Sequence, residues 1–286
     1  MTVATSVAVL GLGTMGSAMA RRLLGNGLEV HVWNRSPKRT EPFRSTAADI
    51  AESPWEAIDG VDVVLTMLFD AEAVREVTAR TLPAAARGTI WMQSSTVGVR
   101  AAREFAAESE SLGVRYVDAP MLGTKDPAKR GELTALLAGD ADALARLRPV
   151  LDAVSTRSVL AGDAAPAASA LKLAMNAWIA TITAGIGQSL SIADHLGVAP
   201  SLVLEALSGT APDSPYAQLK GGEVLRGSFD PQFEVVGLLK DIRLARSETP
   251  QLDDALLSAL ESLYARTAEL GAGDEDIAAV AKAFAR

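Results

Sequence analysis

The sequence predicts an α/β amino-terminal domain, a parallel sheet with helices on both faces, followed by an all-α carboxyl-terminal domain. Three observations carry this prediction. Up to about residue 162, short β-branched runs alternate with helical stretches; after Gly162 the strand signal stops; and 49% hydrophobic content over 286 residues is enough for two cores. The first strand is read at SVAVLGL (6–12), an apolar run closing on glycines, and MARRLLGNG after it has the spacing of a helix. EVHVWNR (29–35) alternates, as a half-buried strand does. VDVVLTML (61–68) is nearly continuous in apolar residues, which suits a strand covered on both faces. GTIWMQSST, VRYVDAPM, LTALLAGD and RSVLAG complete the strand set. Beyond them come long Ala- and Leu-rich segments punctuated by GVAPS, GTAPDSP and GAGD, without strand character. The first of these is expected to be a helix over about 166–195, after the Gly162-Asp163-Ala164-Ala165-Pro166 turn. The expected domains are therefore 1–162 and 163–286.

Composition narrows the function. A formal charge of -8 and a sequence pI near 4.9, with no basic stripe, oppose nucleic-acid binding. With no cysteine there is no disulfide framework and no thiolate chemistry, as suits a reducing compartment. His31 and His195 stand apart without ligand spacing, so no metal site is expected. MTVATSVAVLGLG lacks a basic leader before a long apolar stretch, and no run of about 18 apolar residues occurs. A cytoplasmic protein without a membrane segment is expected.

Gly11, Gly13 and Gly16, with Leu12, Thr14 and Met15 between them, form G-x-G-x-x-G between a strand and a helix. In that context the first glycine permits the turn, the second lets a pyrophosphate approach the backbone, and the third allows close helix packing. The next strand ends in Asn34-Arg35-Ser36, where an adenosine ribose would lie. An NAD site usually places Asp or Glu there; Asn34, followed by Arg35 and Lys38, offers no carboxylate and a guanidinium suited to a 2′-phosphate. The expected cofactor is NADPH, in preference to NADH. Met67 and Leu68, with Ser95 and Thr96, end later strands and belong at the carboxyl edge of the sheet, beside the nicotinamide half. Ser95 and Thr96 are candidate donors to cofactor or substrate, their alternative being ordinary helix caps.

With these pieces the chain resembles the β-hydroxyacid dehydrogenases, including their glyoxylate and succinic semialdehyde reductase branch. VLGLGTMGSAMARRL, VWNRSPKR, MQSSTV, DAPMLGTKDPAKRGELTALLAGD, ALKLAMNAW, LLKDIRLA and GAGDEDIAAVAKAF match in order over essentially the whole length. The resemblance implies a Rossmann-like domain and a helical domain, with NAD(P)H and a small carbonyl acid held in the cleft between them. It places the catalytic lysine at Lys172 and its companion amide at Asn176. These two lie four apart and so share one helix face, among Leu171, Leu173, Ala174 and Met175. From spacing alone Lys172 could equally lay its stem on the helix and its charge in water. The implied chemistry is hydride transfer to a carbonyl, with Lys172 donating the proton and stabilising the oxyanion, and Asn176 holding the substrate oxygen or the lysine. Lys240 in LLKD is implied near the nicotinamide, its alternative being an exposed pair with Asp241. Phe233 and Leu239 are candidate pocket walls or core.

One segment departs from the family pattern. Where the substrate loop usually reads Asp-x-Pro-Val-Ser-Gly, residues 118–123 read Asp-Ala-Pro-Met-Leu-Gly, so Leu122 replaces the serine. Anchoring of a carboxylate then falls to Gly123, Thr124 or Lys125. Imine reductases are similar in architecture, often carry an apolar triplet here and prefer NADPH, so imine reduction is the alternative activity; a non-catalytic NADPH-binding protein is a third. The family also implies a homodimer or higher oligomer through the helical half, and WIATITAGIGQSLSIA offers small residues for helix contact.

Overall fold

A computed structural model describes residues 5–284; the first four residues, which carry part of the leader reading, and the last two lie outside the described residues. The chain forms two compact units.

The first unit ends at Lys172 and is built on a nine-stranded sheet. In chain order it comprises β1 (Ser6–Leu10), α1 (Thr14–Gly25), β2 (Glu29–Trp33), β3 (Asp49–Ile50), α2 (Pro54–Ala57), β4 (Val63–Thr66), α3 (Ala71–Thr81), β5 (Ile90–Gln93), α4 (Val99–Leu112), β6 (Arg115–Asp118), β7 (Met121–Leu122), α5 (Lys125–Arg130), β8 (Leu133–Ala138), α6 (Ala141–Arg146), α7 (Arg148–Val154) and β9 (Ser155–Gly162). The order across the sheet is β3-β2-β1-β4-β5-β6-β8-β7, with β9 on β8. Six strands, β3 to β6 across the sheet, run parallel, and β4 is buried at every position, as its unbroken apolar run requires. Two cores fill the two faces: Met19, Leu23, Val32 and Leu65 lie in one, and Trp91, Phe105 and Val64 in the other.

The sheet is mixed rather than wholly parallel. After β6 the chain doubles back, Met121 and Leu122 pair with Ala135 and Thr134, and β8 is fixed antiparallel to β6. This reversal puts the Met121-Leu122-Gly123 loop against β8.

The second unit begins at Leu173 and is helical. It contains most of α8 (Ala167–His195), then α9 (Ser201–Leu207), α10 (Pro215–Arg226), α11 (Val235–Glu248) and α12 (Ala255–Thr267), and a closing 3-10 segment over 277–284. Leu238, Ile242, Tyr264, Ile277 and Val280 form its core. Among the described residues after Gly162, the one β pairing is an isolated bridge between Glu234 and Asp276. The two compact units divide inside α8, between Lys172 and Leu173. The reason is packing: Ala168 joins Leu136 and Ala138 in a small cluster, so the first turns of α8 belong to the sheet's unit. No helix among the described residues is long and apolar enough to cross a membrane.

Candidate active site

The three glycines of the first turn are needed for different reasons. Gly11 has φ +105°, and a Cβ there would lie 2.4 Å from the Met67 carbonyl oxygen. A Cβ on Gly16 would lie 2.0 Å from the Gly11 carbonyl oxygen, so helix and turn can close only without a side chain. At Gly13 a Cβ would meet, among the described residues, no atom within 4 Å beyond its chain neighbours, and its φ of -68° is open to any residue. The protein itself does not ask for glycine there; a group approaching the amino end of α1 does. That space is open to a pyrophosphate, and the exposed Gly13 and Thr14 with half-buried Met15 border it. The residues present therefore fit a dinucleotide.

Asn34 at the end of β2 braces this turn. Its Oδ1 accepts the Leu12 N–H at 2.9 Å and its Nδ2 donates to the Ser36 carbonyl at 3.1 Å, while Leu12 is itself buried. Arg35, Ser36 and Lys38 are exposed beyond it. Arg35 stands 3.6 Å from Glu76 of α3, an ion pair open to water on both sides.

Under the neighbouring loops lies a buried polar lattice. Trp91 Nε1 donates to Thr66 Oγ1 at 2.9 Å, and Gln93 exchanges hydrogen bonds with the Ser95 backbone at 2.7 and 2.9 Å. Ser95 is buried, its hydroxyl accepting the Leu68 N–H at 2.8 Å and facing the Thr66 carbonyl. It thus ties the loop carrying Met67 and Leu68 to the loop carrying Thr96, which is half-buried above it.

Lys172 is only 8% exposed, and its ammonium donates to the Met121 carbonyl at 2.9 Å. The water-facing alternative for its side chain is therefore not what the structure shows. The loop it touches carries Leu122, which packs against the Leu136, Ala138 and Ala168 cluster together with Leu171. Gly123 follows with φ +125°, where a Cβ would lie 2.6 Å from Leu133; Gly123 is exposed, and Thr124 and Lys125 are half-buried.

One helical turn beyond Lys172 on α8, Asn176 is 1% exposed. Its Nδ2 donates to Asp241 at 2.6 Å, and its Oδ1 has no hydrogen-bond partner among the described residues. A buried amide acceptor left open in this way is costly unless a ligand fills it. Asp241 also pairs with Lys240 at 2.9 Å, and this pair is largely buried, not the exposed pair its sequence neighbours allow. Phe233 is half-buried against the helical core, whereas Leu239 is part of that core.

Sequence reasoning missed a second buried cation. Lys220 of α10, 1% exposed, donates to Asp276 at 2.7 Å and to Glu223 at 2.9 Å. Asp276 in turn accepts the N–H groups of Gln232 and Phe233, fixing the segment that precedes α11. Burial pushes the Glu223 carboxyl above its usual range, against the pull of Lys220. In the sequence Lys220 and Glu223 read as an ordinary helix-surface pair three apart, and nothing marks Asp276 as their partner.

A groove of about 580 Å³ between α6, α7 and β9 is lined by Arg148, Asp152 and Arg157, and none of the residues above contributes to it. Among the described residues no cluster of His, Cys, Asp or Glu is arranged to hold a metal.

Known proteins match this arrangement over its full length. A family model described as the NAD binding domain of 6-phosphogluconate dehydrogenase matches residues 6–162. Another, described as NAD-binding of NADP-dependent 3-hydroxyisobutyrate dehydrogenase, matches residues 166–284. The chain is 30% identical to glyoxylate/succinic semialdehyde reductase 1 of Arabidopsis thaliana over 97% of either protein. It is similar to the structure of Mycobacterium tuberculosis 3-hydroxyisobutyrate dehydrogenase with L-serine, with a TM-score of 0.90 at 28% identity, covering 99% of this chain and 100% of that one. An imine reductase from Pseudomonas sp. shares the fold, with a TM-score of 0.64 at 22% identity over 99% of this chain and 100% of that one.

Proposed function

The chain belongs to the β-hydroxyacid dehydrogenase family, and from that premise we propose that it is an NADPH-dependent reductase of small aldehyde or keto acids, with Lys172 as proton donor. That it is a nicotinamide-dependent oxidoreductase acting on CH–OH or C=O groups follows from the family. The observation that carries the finer reading is Lys172, an ammonium removed from water and held by a backbone carbonyl of the loop that anchors substrate in the family.

The chemistry supplied by the bound cofactor is transfer of a hydride from its nicotinamide ring to the carbonyl carbon. The chain supplies the rest. As charge grows on the substrate oxygen, the Lys172 ammonium stabilises it and gives up a proton, and neutral Lys172 then recovers a proton from water. The open Oδ1 of Asn176 accepts a hydrogen bond from the product hydroxyl or from the lysine, and Asp241 holds the amide in the orientation that permits this. Gly11, Gly13 and Gly16, with Leu12, Thr14 and Met15, would hold the pyrophosphate; Met67, Leu68 and Thr96 would border the nicotinamide half.

NADPH preference is supported by the missing carboxylate at the end of β2 and by the exposed Arg35, Ser36 and Lys38. The Glu76 partner of Arg35 is a weak competitor, because exposed pairs contribute about 0–1 kcal/mol and a phosphate binds a guanidinium with two charge-assisted bonds. Leu122 favours a second reading: packed in an apolar cluster, it offers no hydroxyl to a carboxylate, as an imine or bulkier substrate would tolerate. Lys172 keeps the carbonyl acid first. The exposed Trp178, Ile192 and Leu196 of α8 and its end support a homodimer through the helical unit. Part of the small-residue stripe is spent internally, since a Cβ on Gly187 would touch Ala281.

Steady-state turnover of glyoxylate, succinic semialdehyde and a cyclic imine, with NADPH and NADH, tests this reading. Turnover of the acids with NADPH is expected, and Arg35→Ala should weaken NADPH binding at least about tenfold while leaving NADH within about twofold. Imine turnover far above every acid would replace the first reading with the second.

A further inference from the structure

Lys172 acts only if its ammonium stands at a fixed place relative to the substrate loop, and one buried group joins the two. Asp118 ends β6, three residues before Met121, and has no exposed surface. Its Oδ2 accepts the Ser169 backbone N–H at 2.7 Å and its Oδ1 accepts the Ser169 hydroxyl at 2.7 Å. The Ala168 N–H also points to this carboxylate. Ala168 and Ser169 are the second and third residues of α8, where amides lack partners inside the helix and the helix dipole favours an anion. Ser169 precedes Lys172 by less than one turn.

We infer that Asp118 is a positioning residue for the reaction, its carboxylate clamping the first turn of α8 to the loop so that Lys172 meets the substrate oxygen. The inference rests on Lys172 being the proton donor. Loop and helix are joined at two points, the Asp118 carboxylate on the helix amides and the Met121 carbonyl on the lysine, with two residues between the points on either side. Two points fix a register where one would leave a hinge. The carboxylate is held against resistance: burial pushes its proton affinity up, and the α8 donors, Ser169 and the Ala168 N–H, oppose it. An ordinary helix cap sits at the surface and uses one oxygen. Asp118 is buried and uses both, on the helix that carries the acid.

Asp118→Asn keeps the shape but turns one acceptor into an NH₂ group facing a donor. The full chain carrying this change should show kcat for the carbonyl acid lowered between about tenfold and 100-fold, the scale of a misplaced catalytic group. NADPH affinity should stay within about twofold, and KM should change less than kcat. The deuterium isotope effect with 4-deuterated NADPH should rise as hydride transfer becomes limiting; a loss of folded protein would not change that ratio. Ser169→Ala, which removes only the hydroxyl contact, should lower kcat about twofold to fivefold with the same trend, and the double variant should fall little below Asp118→Asn alone. If Asp118→Asn does not fold, Ser169→Ala decides: unchanged kcat and isotope effect overturn the clamp. Lys172→Ala measured alongside separates the two claims. Its inactivity beside a fully active Asp118→Asn refutes the clamp alone; full activity of Lys172→Ala refutes the proton-donor reading beneath it.

Discussion

Gly13→Ala separates what the fold needs from what the cofactor needs. A methyl at this position meets, among the described residues, no atom within 4 Å beyond its chain neighbours, and the residue's φ of -68° suits alanine. As the N-cap of α1, alanine is poorer than glycine by about 0.5–1 kcal/mol, while the loss of glycine's freedom in the unfolded chain returns about 0.4–1 kcal/mol. The two nearly cancel. For a chain of this size 1 kcal/mol moves Tm by about 2–4 °C, so thermal unfolding without cofactor should shift by less than about 3 °C. The methyl instead meets an approaching pyrophosphate. Losing one charge-assisted N–H bond, about 1.5–3 kcal/mol, weakens binding between about tenfold and 100-fold. The assay is a fluorescence titration with NADPH beside a melting curve. Gly16→Ala is the contrasting variant, since its methyl would lie 2.0 Å from the Gly11 carbonyl and should cost stability outright. An NADPH affinity for Gly13→Ala within twofold of the parent, or a Tm lowered by more than about 5 °C, would refute the assignment of this space to the cofactor.

Other perturbations read the rest of the site. Leu122→Ser withdraws an apolar side chain from the Leu136, Ala138 and Ala168 cluster and should cost about 1–2 kcal/mol, seen as a lowered Tm, while improving kcat/KM for short carbonyl acids by restoring a hydroxyl donor. Lower turnover of every acid would show that the leucine, not a missing hydroxyl, suits the natural substrate. Lys220→Met leaves Asp276 buried without its cation and should destabilise the helical unit by about 3 kcal/mol, a Tm fall of roughly 6–12 °C; a fall under about 2 °C would show the pair to be dispensable.

Backbone-coded features were the legible ones. The glycine turn is legible because Gly11 and Gly16 answer steric demands of the chain itself, and α8 begins at Ala167 and ends at His195, close to the expected span, because Pro166 and Gly197 punctuate it. β4 declares its double-sided burial in four successive apolar or small residues. What the sequence hides is pairing across distance. Asp276 lies 56 residues from Lys220, and Asp241 lies 65 from Asn176, so neither buried partner shows in local pattern. Lys240 beside Asp241 reads as a surface charge pair until tertiary packing covers it. β7 is two residues long, too short for alternation to register, and with it the antiparallel turn of the sheet goes unread. Ser95 reads as a substrate donor, yet its hydroxyl is directed to the backbone of the adjacent loop.

The central claim is that Lys172 delivers the proton that completes hydride transfer. Single-turnover oxidation of saturating NADPH by a carbonyl acid that the parent enzyme reduces, compared between parent and Lys172→Ala, tests it most directly. The account predicts a rate constant lowered at least about 100-fold with NADPH affinity unchanged, as for loss of a positioned general acid and its charge. A rate constant within about threefold of the parent would contradict it.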